Sequence, residues 1–131
     1  MTTLTARRSR LPLRTVLRID SWSTGLFGIA LLATAPLLRD PLGLPTAVSM
    51  FFGLGMLGGA AALSWIAARP TIPTPFAMGV AAVNAVSGVA MTALAAVDVL
   101  PLTTFGRAFL EISALVVLVF ATLEYTARHN A

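Results

Sequence analysis

Four long apolar runs constrain the fold of this chain more than any other feature of its sequence. They cover about residues 21–38, 47–68, 76–97 and 105–126, and each is close to the roughly 20 residues with which a helix crosses the hydrocarbon core of a bilayer. None alternates apolar and polar residues as a barrel strand does. Because lipid offers no hydrogen bonds to the backbone, a helix is the structure that satisfies such a run. The runs predict an all-α membrane protein, an antiparallel up-down bundle of four transmembrane helices.

The composition agrees with a lipid environment and excludes several kinds of chemistry. Of the 131 residues, 57% are hydrophobic and only 11% are charged, whereas a soluble domain carries about 25% charged residues. The chain has no cysteine and no lysine, which excludes disulfides, iron–sulfur clusters and Schiff-base cofactors. Its single histidine, His129, provides neither a zinc cluster nor axial haem ligation. We therefore expect no cofactor and no metal.

Short proline-containing segments separate the runs. They are Arg39–Pro45, Arg69–Pro75 and Asp98–Thr104, and the two prolines of the first segment are expected to end the first helix. Thr74 is the expected N-cap of the third helix, with Pro75 as its first residue, and a threonine also precedes the fourth helix. Short connections make consecutive helices antiparallel neighbours. We divide the chain into a basic cytoplasmic arm (1–20), a transmembrane domain (21–127) and a cytoplasmic tail (128–131).

The arginines predict the orientation of the bundle. With the N-terminus inside, the inner side holds Arg7, Arg8, Arg10, Arg14, Arg18, Arg69 and Arg128, and the outer side holds Arg39 and Arg107. Trp22, Trp65 and Tyr125 then lie at the inner boundary, where aromatic anchors are common. The pattern predicts a multi-pass protein of a bacterial inner membrane with both termini in the cytoplasm. Although the net charge is +4, this placement is typical of topology signals, and we expect no nucleic-acid partner.

A cleaved signal peptide is the alternative interpretation of the first run. Ala33-Thr34-Ala35 resembles a cleavage site. However, Pro36 would follow the cut directly, and the run is longer than a usual signal core. We therefore favour an uncleaved first helix.

Small residues predict where helices pack closely. Gly55 and Gly59 are four residues apart in the second run, and Ala81, Ala85 and Gly88 form a stripe in the third. In lipid, helix association depends on close backbone approach at such residues. We favour packing within the bundle, with a homo-oligomer as the alternative.

Two positions inside the runs are candidate functional residues. Glu111 in the fourth run has Arg107 at i−4, so it is either a proton- or cation-responsive carboxylate or one half of a structural ion pair, which we favour. Asn84 lies near the middle of the third run, where its amide needs partners inside the bundle. We favour an interhelical clamp over a ligand site.

Three charged residues lie at the inner ends of the first and fourth helices. Arg18 and Asp20 flank the start of the first helix, and Glu124 lies at the end of the fourth. In a closed bundle these helices can be neighbours, so we expect an Arg18–Glu124 bridge that joins them. Asp20 is expected near a helix N-terminus, where the helix dipole favours a carboxylate.

Several motifs resemble those of a broad group of small, uncharacterised four-helix integral membrane proteins of bacteria. They are Arg18-Ile19-Asp20 with Gly28 in the first span, Leu42-Gly43-Leu44-Pro45 before the second, and Asn84 in the third. In that group an aromatic residue often follows the asparagine by three positions, where this chain has Ser87. The resemblance covers most of the chain after the basic arm and implies the fold and topology, but no activity.

Three functions remain open from the sequence. The first is a non-catalytic accessory or assembly subunit that packs against a membrane partner. The second is a small proton-coupled transporter or exporter that uses Glu111. The third is a membrane enzyme that binds a lipid or quinone, although no catalytic constellation is present.

Overall fold

The computed structural model describes residues 11–130, which form four helices. These are α1 (Leu13–Leu42), α2 (Thr46–Ala67), α3 (Thr74–Ala96) and α4 (Thr104–Thr126). By length and composition, each of the four could cross a membrane. The prediction of an all-helical chain with four such helices is therefore confirmed.

Prolines precede three of the helices. Pro12, Pro45 and Pro73 occupy the N-cap positions of α1, α2 and α3, with φ between −61° and −55°. The proline ring holds φ near this value, and proline has no N–H that needs a partner at the helix start. The cap of α3 is thus Pro73 rather than Thr74, which is the first helical residue. At α4 the Thr103 hydroxyl accepts a hydrogen bond from the backbone N–H of Gly106 at 3.0 Å.

Helix α1 is longer than its apolar run predicts. It begins at Leu13 and continues through Pro41 to Leu42, so the expectation that a proline ends it after residue 38 is wrong. The helix ends at Gly43, where φ is 69° and the N–H donates to the Arg39 carbonyl. A side chain at Gly43 would also collide with the backbone of Pro101. The left-handed conformation and the close approach both require glycine.

Backbone contacts show which helix ends meet. The N–H of Leu13 donates to the Asn130 carbonyl at 3.0 Å, so the start of α1 lies beside the end of α4. The N–H of Thr103 donates to the Leu42 carbonyl at 3.1 Å, so the end of α1 lies beside the start of α4. We call the end of the bundle with the start of α1 and the end of α4 the first end. The end with the end of α1 and the start of α4 is the second end. Helix α1 packs along α2 and α4, and α3 packs along α4.

An apolar cluster lies at the first end of the bundle. Its buried members come from α1, α2 and α3, the α2–α3 connection and the segment after α4: Leu13, Leu17, Leu63, Ala67, Ile72, Ala77 and Ala127. Because they are distant in sequence, this cluster fixes the ends of the helices relative to one another.

Small residues bring helix backbones together at specific points. A Cβ added to Gly28 in α1 would lie 2.9 Å from the Gly53 carbonyl oxygen in α2. One added to Gly88 in α3 would lie 2.6 Å from Cγ of Leu118 in α4. Ala81 is buried on the same face of α3, and Ala85 is half-buried.

Gly55 and Gly59 do not serve the packing expected of them within the chain. Neither has a heavy atom within 4 Å of the position of an added Cβ, and the same holds for Gly58. The sequence therefore predicted the wrong face of α2 for packing, because α2 approaches α1 through Gly53 rather than through its other glycines.

We expect Gly28→Ala to destabilise the bundle by about 1–3 kcal/mol, because the new methyl group meets backbone that cannot rotate away. Gly79→Ala is the matched control, since Gly79 has open space around it. Unfolding in mixed micelles, followed by circular dichroism, measures the difference. Equal stability of the two variants would contradict the close α1–α2 contact.

Candidate functional site

Three helices each contribute a polar side chain to one buried cluster. The amide Nδ2 of Asn84 in α3 donates to Oδ2 of Asp20 in α1 at 2.9 Å and also to Oε1 of Glu124 in α4. The hydroxyl of Thr24 donates to the other oxygen of Asp20 at 2.9 Å. Asp20 is 1% exposed and Glu124 is 0% exposed. We call these four residues the carboxyl cluster.

The length of α1 explains how the cluster forms. Because α1 begins at Leu13, Asp20 lies well inside the helix, and Thr24 follows it at i+4 on the same face. The next residue, Ser21, lies on the side of α2. Its hydroxyl donates to the Ala60 carbonyl at 2.9 Å and shares a hydrogen bond with the Ser64 hydroxyl. Two consecutive residues of α1 therefore connect it to the other three helices.

The charge balance of the cluster is its most unusual property. Its hydrogen-bond donors are an amide and a hydroxyl, and within residues 11–130 the one ion pair joins Arg107 to Asp98 at 2.8 Å. Oε2 of Glu124 is buried without a hydrogen-bond partner. A buried charge is costly unless it is paired. Two carboxyl groups thus share a buried site in which none of the basic side chains of residues 11–130 pairs with them.

Several of the described arginines have contacts outside the carboxyl cluster. Arg14 donates to the carbonyls of Ala67 and Arg69 at the end of α2, where a cation complements the negative end of the helix dipole. The Arg69 guanidinium lies 4.6 Å from the centre of the Trp65 ring, and that of Arg128 lies 4.0 Å from the Tyr125 ring.

The Arg18–Glu124 bridge is absent from the described structure, which requires a correction. Arg18 is exposed on α1, whereas Glu124 is fully buried and bonded to Asn84. Asp20 is likewise not at a helix N-terminus, because α1 begins at Leu13. The two carboxyl groups that sequence reasoning placed at the membrane edge instead meet inside the bundle.

The expected Arg107–Glu111 ion pair is also absent from the described residues. Arg107 reaches the end of α3, where it donates to the Ala95 carbonyl and to Asp98. The negative end of the α3 helix dipole attracts a cation at this C-terminus. Glu111 is exposed on α4. The carboxylate expected to be the main functional residue thus lies outside the cluster.

Sequence reasoning identified Asp20, Asn84 and Glu124 separately but did not bring them together. It missed Thr24, which the i+4 spacing from Asp20 could have indicated. No spacing signal connects Ser21 to Ser64, because they lie on different helices. Within residues 11–130, no group of three or more His, Cys, Asp or Glu side chains could hold a metal ion.

Comparison with known proteins does not assign a family. No family model, curated protein or solved structure matches the chain. The interpretation of the carboxyl cluster accordingly depends on its geometry.

We expect Asn84→Ala to destabilise the protein by about 1–3 kcal/mol, because it leaves buried acceptors on two helices without their shared donor. Thr92→Ala is the control on the same helix, since Thr92 is exposed. Detergent titration of both variants provides the measurement. If Asn84→Ala were as stable as Thr92→Ala, the amide would not hold α3 to the other helices.

Proposed function

We propose that the chain is a multi-pass protein of a bacterial inner membrane, in which four antiparallel helices run up and down through the bilayer. The meeting of α1 and α4 at both ends supports this arrangement. Large apolar side chains on the outer surface support insertion: Phe51 is 74% exposed, Val86 is 68% exposed and Ile112 is 64% exposed. Such a surface suits acyl chains rather than water.

The distribution of basic and aromatic residues supports cytoplasmic termini. The first end holds Arg14, Arg18, Arg69 and Arg128, together with the exposed rings of Trp22, Trp65 and Tyr125. The second end holds Arg39 and Arg107. Basic residues are more frequent on the cytoplasmic side of a membrane protein. The first end is therefore the cytoplasmic one in this proposal.

Single cysteines test this topology directly, because the chain contains none. Val99→Cys, in the connection between α3 and α4, should react with a membrane-impermeant maleimide in intact spheroplasts. Thr71→Cys, between α2 and α3, should react only after the membrane is permeabilised. The reverse pattern would contradict the proposed orientation.

For its role, we propose a non-catalytic accessory or assembly subunit that binds a membrane partner. The observation that carries this proposal is the α2 glycine face, which consists of Gly55, Gly58 and Gly59. These positions lie at i, i+3 and i+4, and open space surrounds each of them. A transmembrane helix of a partner could approach this face as closely as α1 approaches Gly53. Helix contacts in lipid depend on such close approach.

The resemblance to small four-helix proteins of bacteria is consistent with this role and adds no activity to it. A second copy of the chain is the alternative occupant of the α2 glycine face. The mass of a crosslinked product distinguishes the two, since a homo-oligomer gives a multiple of the chain mass.

We expect Gly59→Leu to leave the fold intact and to reduce recovery of the partner by at least about tenfold, which corresponds to about 1.4 kcal/mol. Gly79→Leu is the matched control, because Gly79 on α3 also has open space around it. Crosslinking in native membranes, followed by affinity capture and mass spectrometry, measures recovery. Recovery of the monomer alone from wild-type membranes would contradict the proposal, as would equal recovery from the two variants.

Proton-coupled transport is the second candidate, with Asp20 and Glu124 rather than Glu111 as its candidate residues. Glu111 is exposed, whereas Asp20 and Glu124 lie buried between three helices. Ionisable groups inside a span are frequent in ion and proton pathways. In reconstituted vesicles, Glu124→Gln should then abolish proton uptake that Glu111→Gln leaves unchanged. Equal uptake by both variants would remove this candidate.

A further inference from the structure

We propose that Asp20 and Glu124 form a proton-binding site, in which one exchangeable proton is shared between the two carboxyl groups. The cluster is then a carboxylic acid hydrogen-bonded to a carboxylate, with a single negative charge. This inference rests on the four-helix fold and not on the α2 glycine face. The proton site can therefore be disproved while partner binding holds. Partner binding can likewise be disproved while the proton site holds.

The hydrogen bonds of the cluster leave one buried acceptor without a donor. Oδ1 of Asp20 accepts from Thr24, Oδ2 of Asp20 accepts from Asn84, and Oε1 of Glu124 accepts from the same amide nitrogen. An amide nitrogen carries two hydrogens, so Asn84 uses both of them on the two carboxyl groups. Oε2 of Glu124 is left buried and without a partner. One additional hydrogen is what the cluster lacks.

Asn84 brings the two acids close together. Both accept from one nitrogen atom, so the two carboxyl groups lie side by side around Asn84. Two carboxylates carry acceptors alone, so they cannot hydrogen-bond to each other. A proton on either acid supplies the donor. Close pairs of carboxyl groups hold one proton for this reason, since like charges at such a separation cannot both persist.

Within residues 11–130, no basic side chain forms an ion pair with either acid. Helices α2 and α3 contain no Asp, Glu, Lys, Arg or His residue. On the side of the cluster, α1 carries Arg14 and Arg18, of which the first bonds to carbonyls and the second is exposed. On α4, Tyr125 is exposed, and Arg128 beyond the helix end stacks on its ring. A proton is the smallest cation and needs no cavity between the packed helices.

The proton is gained from water at the first end and is held as the O–H of one carboxyl group. It donates to a carboxylate oxygen of the other group, and its release to water leaves both acids ionised. No oxidant, reductant or further reactant takes part. Release would add a second negative charge inside the bundle and would weaken the attachment of α4 to α1 through repulsion.

Infrared spectroscopy of the full chain in lipid nanodiscs tests this site. The chain has only five carboxylic side chains, Asp20, Asp40, Asp98, Glu111 and Glu124, so the signals can be assigned. At neutral pH we expect the carbonyl stretch of about one protonated carboxyl group per chain, and this band should shift in D₂O. Alkaline titration should remove it. Replacing both acids, by Asp20→Asn together with Glu124→Gln, should remove it at neutral pH, because no carboxyl group is then left in the cluster.

Glu111→Gln is the control, since Glu111 is exposed to the surroundings of α4. This variant should keep the band. Loss of the band would show that it comes from Glu111, which would overturn the proposal. Absence of the band in the wild type at neutral pH would also overturn it, and this result does not depend on the folding of any variant. A band that appears only when sodium is removed would identify a metal cation as the natural occupant and would equally contradict a shared proton.

Discussion

The apolar outer surface of the four helices is the constraint on which the rest of the molecule depends. In each helix, only 17–22% of an 18-residue apolar stretch is buried within the chain. The remaining apolar side chains face outward, and in the proposed membrane setting they contact lipid. Because lipid gives helices no hydrophobic reason to associate, a bundle in that setting is held by close packing and by polar contacts. Both occur at specific residues rather than along the whole length of the helices.

Different contacts hold different pairs of helices together. Gly28 and Gly53 bring the backbones of α1 and α2 together, and the Ser21 hydroxyl adds a bond to the Ala60 carbonyl. Gly88 allows α4 to approach α3. These two pairs are joined through the carboxyl cluster, in which Asn84 bonds to acids on both α1 and α4. The cluster is therefore part of the architecture as well as a candidate site.

This double role gives the proposed shared proton a structural consequence. An interhelical bond that depends on one proton can be weakened by its loss, whereas contacts between glycines cannot. The α1–α2 pair would remain unchanged when the α1–α4 contact loosens. A subunit with one such proton-dependent contact and one open glycine face could couple the protonation of its interior to the binding of a partner.

The sequence predicted where the helices lie but not which face of each helix packs against a neighbour. Run length and low charge predicted four helices because both properties belong to a local segment. Pro41 misled because α1 continues through it and ends at Gly43, whose left-handed conformation closes the helix. Gly55 and Gly53 are indistinguishable by composition, and only the rotation of α2 decides which one meets α1.

Asp20 shows the same limit at the candidate site. Its pairing with Glu124 through Asn84 depends on how α1, α3 and α4 are rotated, and this has no local signal. The expected bridge from Arg18 followed charge complementarity along the sequence. In the structure Arg18 lies outside and Glu124 inside, so burial and not charge selected the partners.

Spin labels along the helices test the membrane placement most directly. Labels at Val86 and Ile112, both exposed apolar positions, should collide with oxygen dissolved in the bilayer and be protected from a water-soluble nickel reagent. Labels at Thr71 and Val99, in the connections, should show the opposite preference. If Val86 and Ile112 were as accessible to the nickel reagent as the connections are, the outer surface would face water and the account would be contradicted.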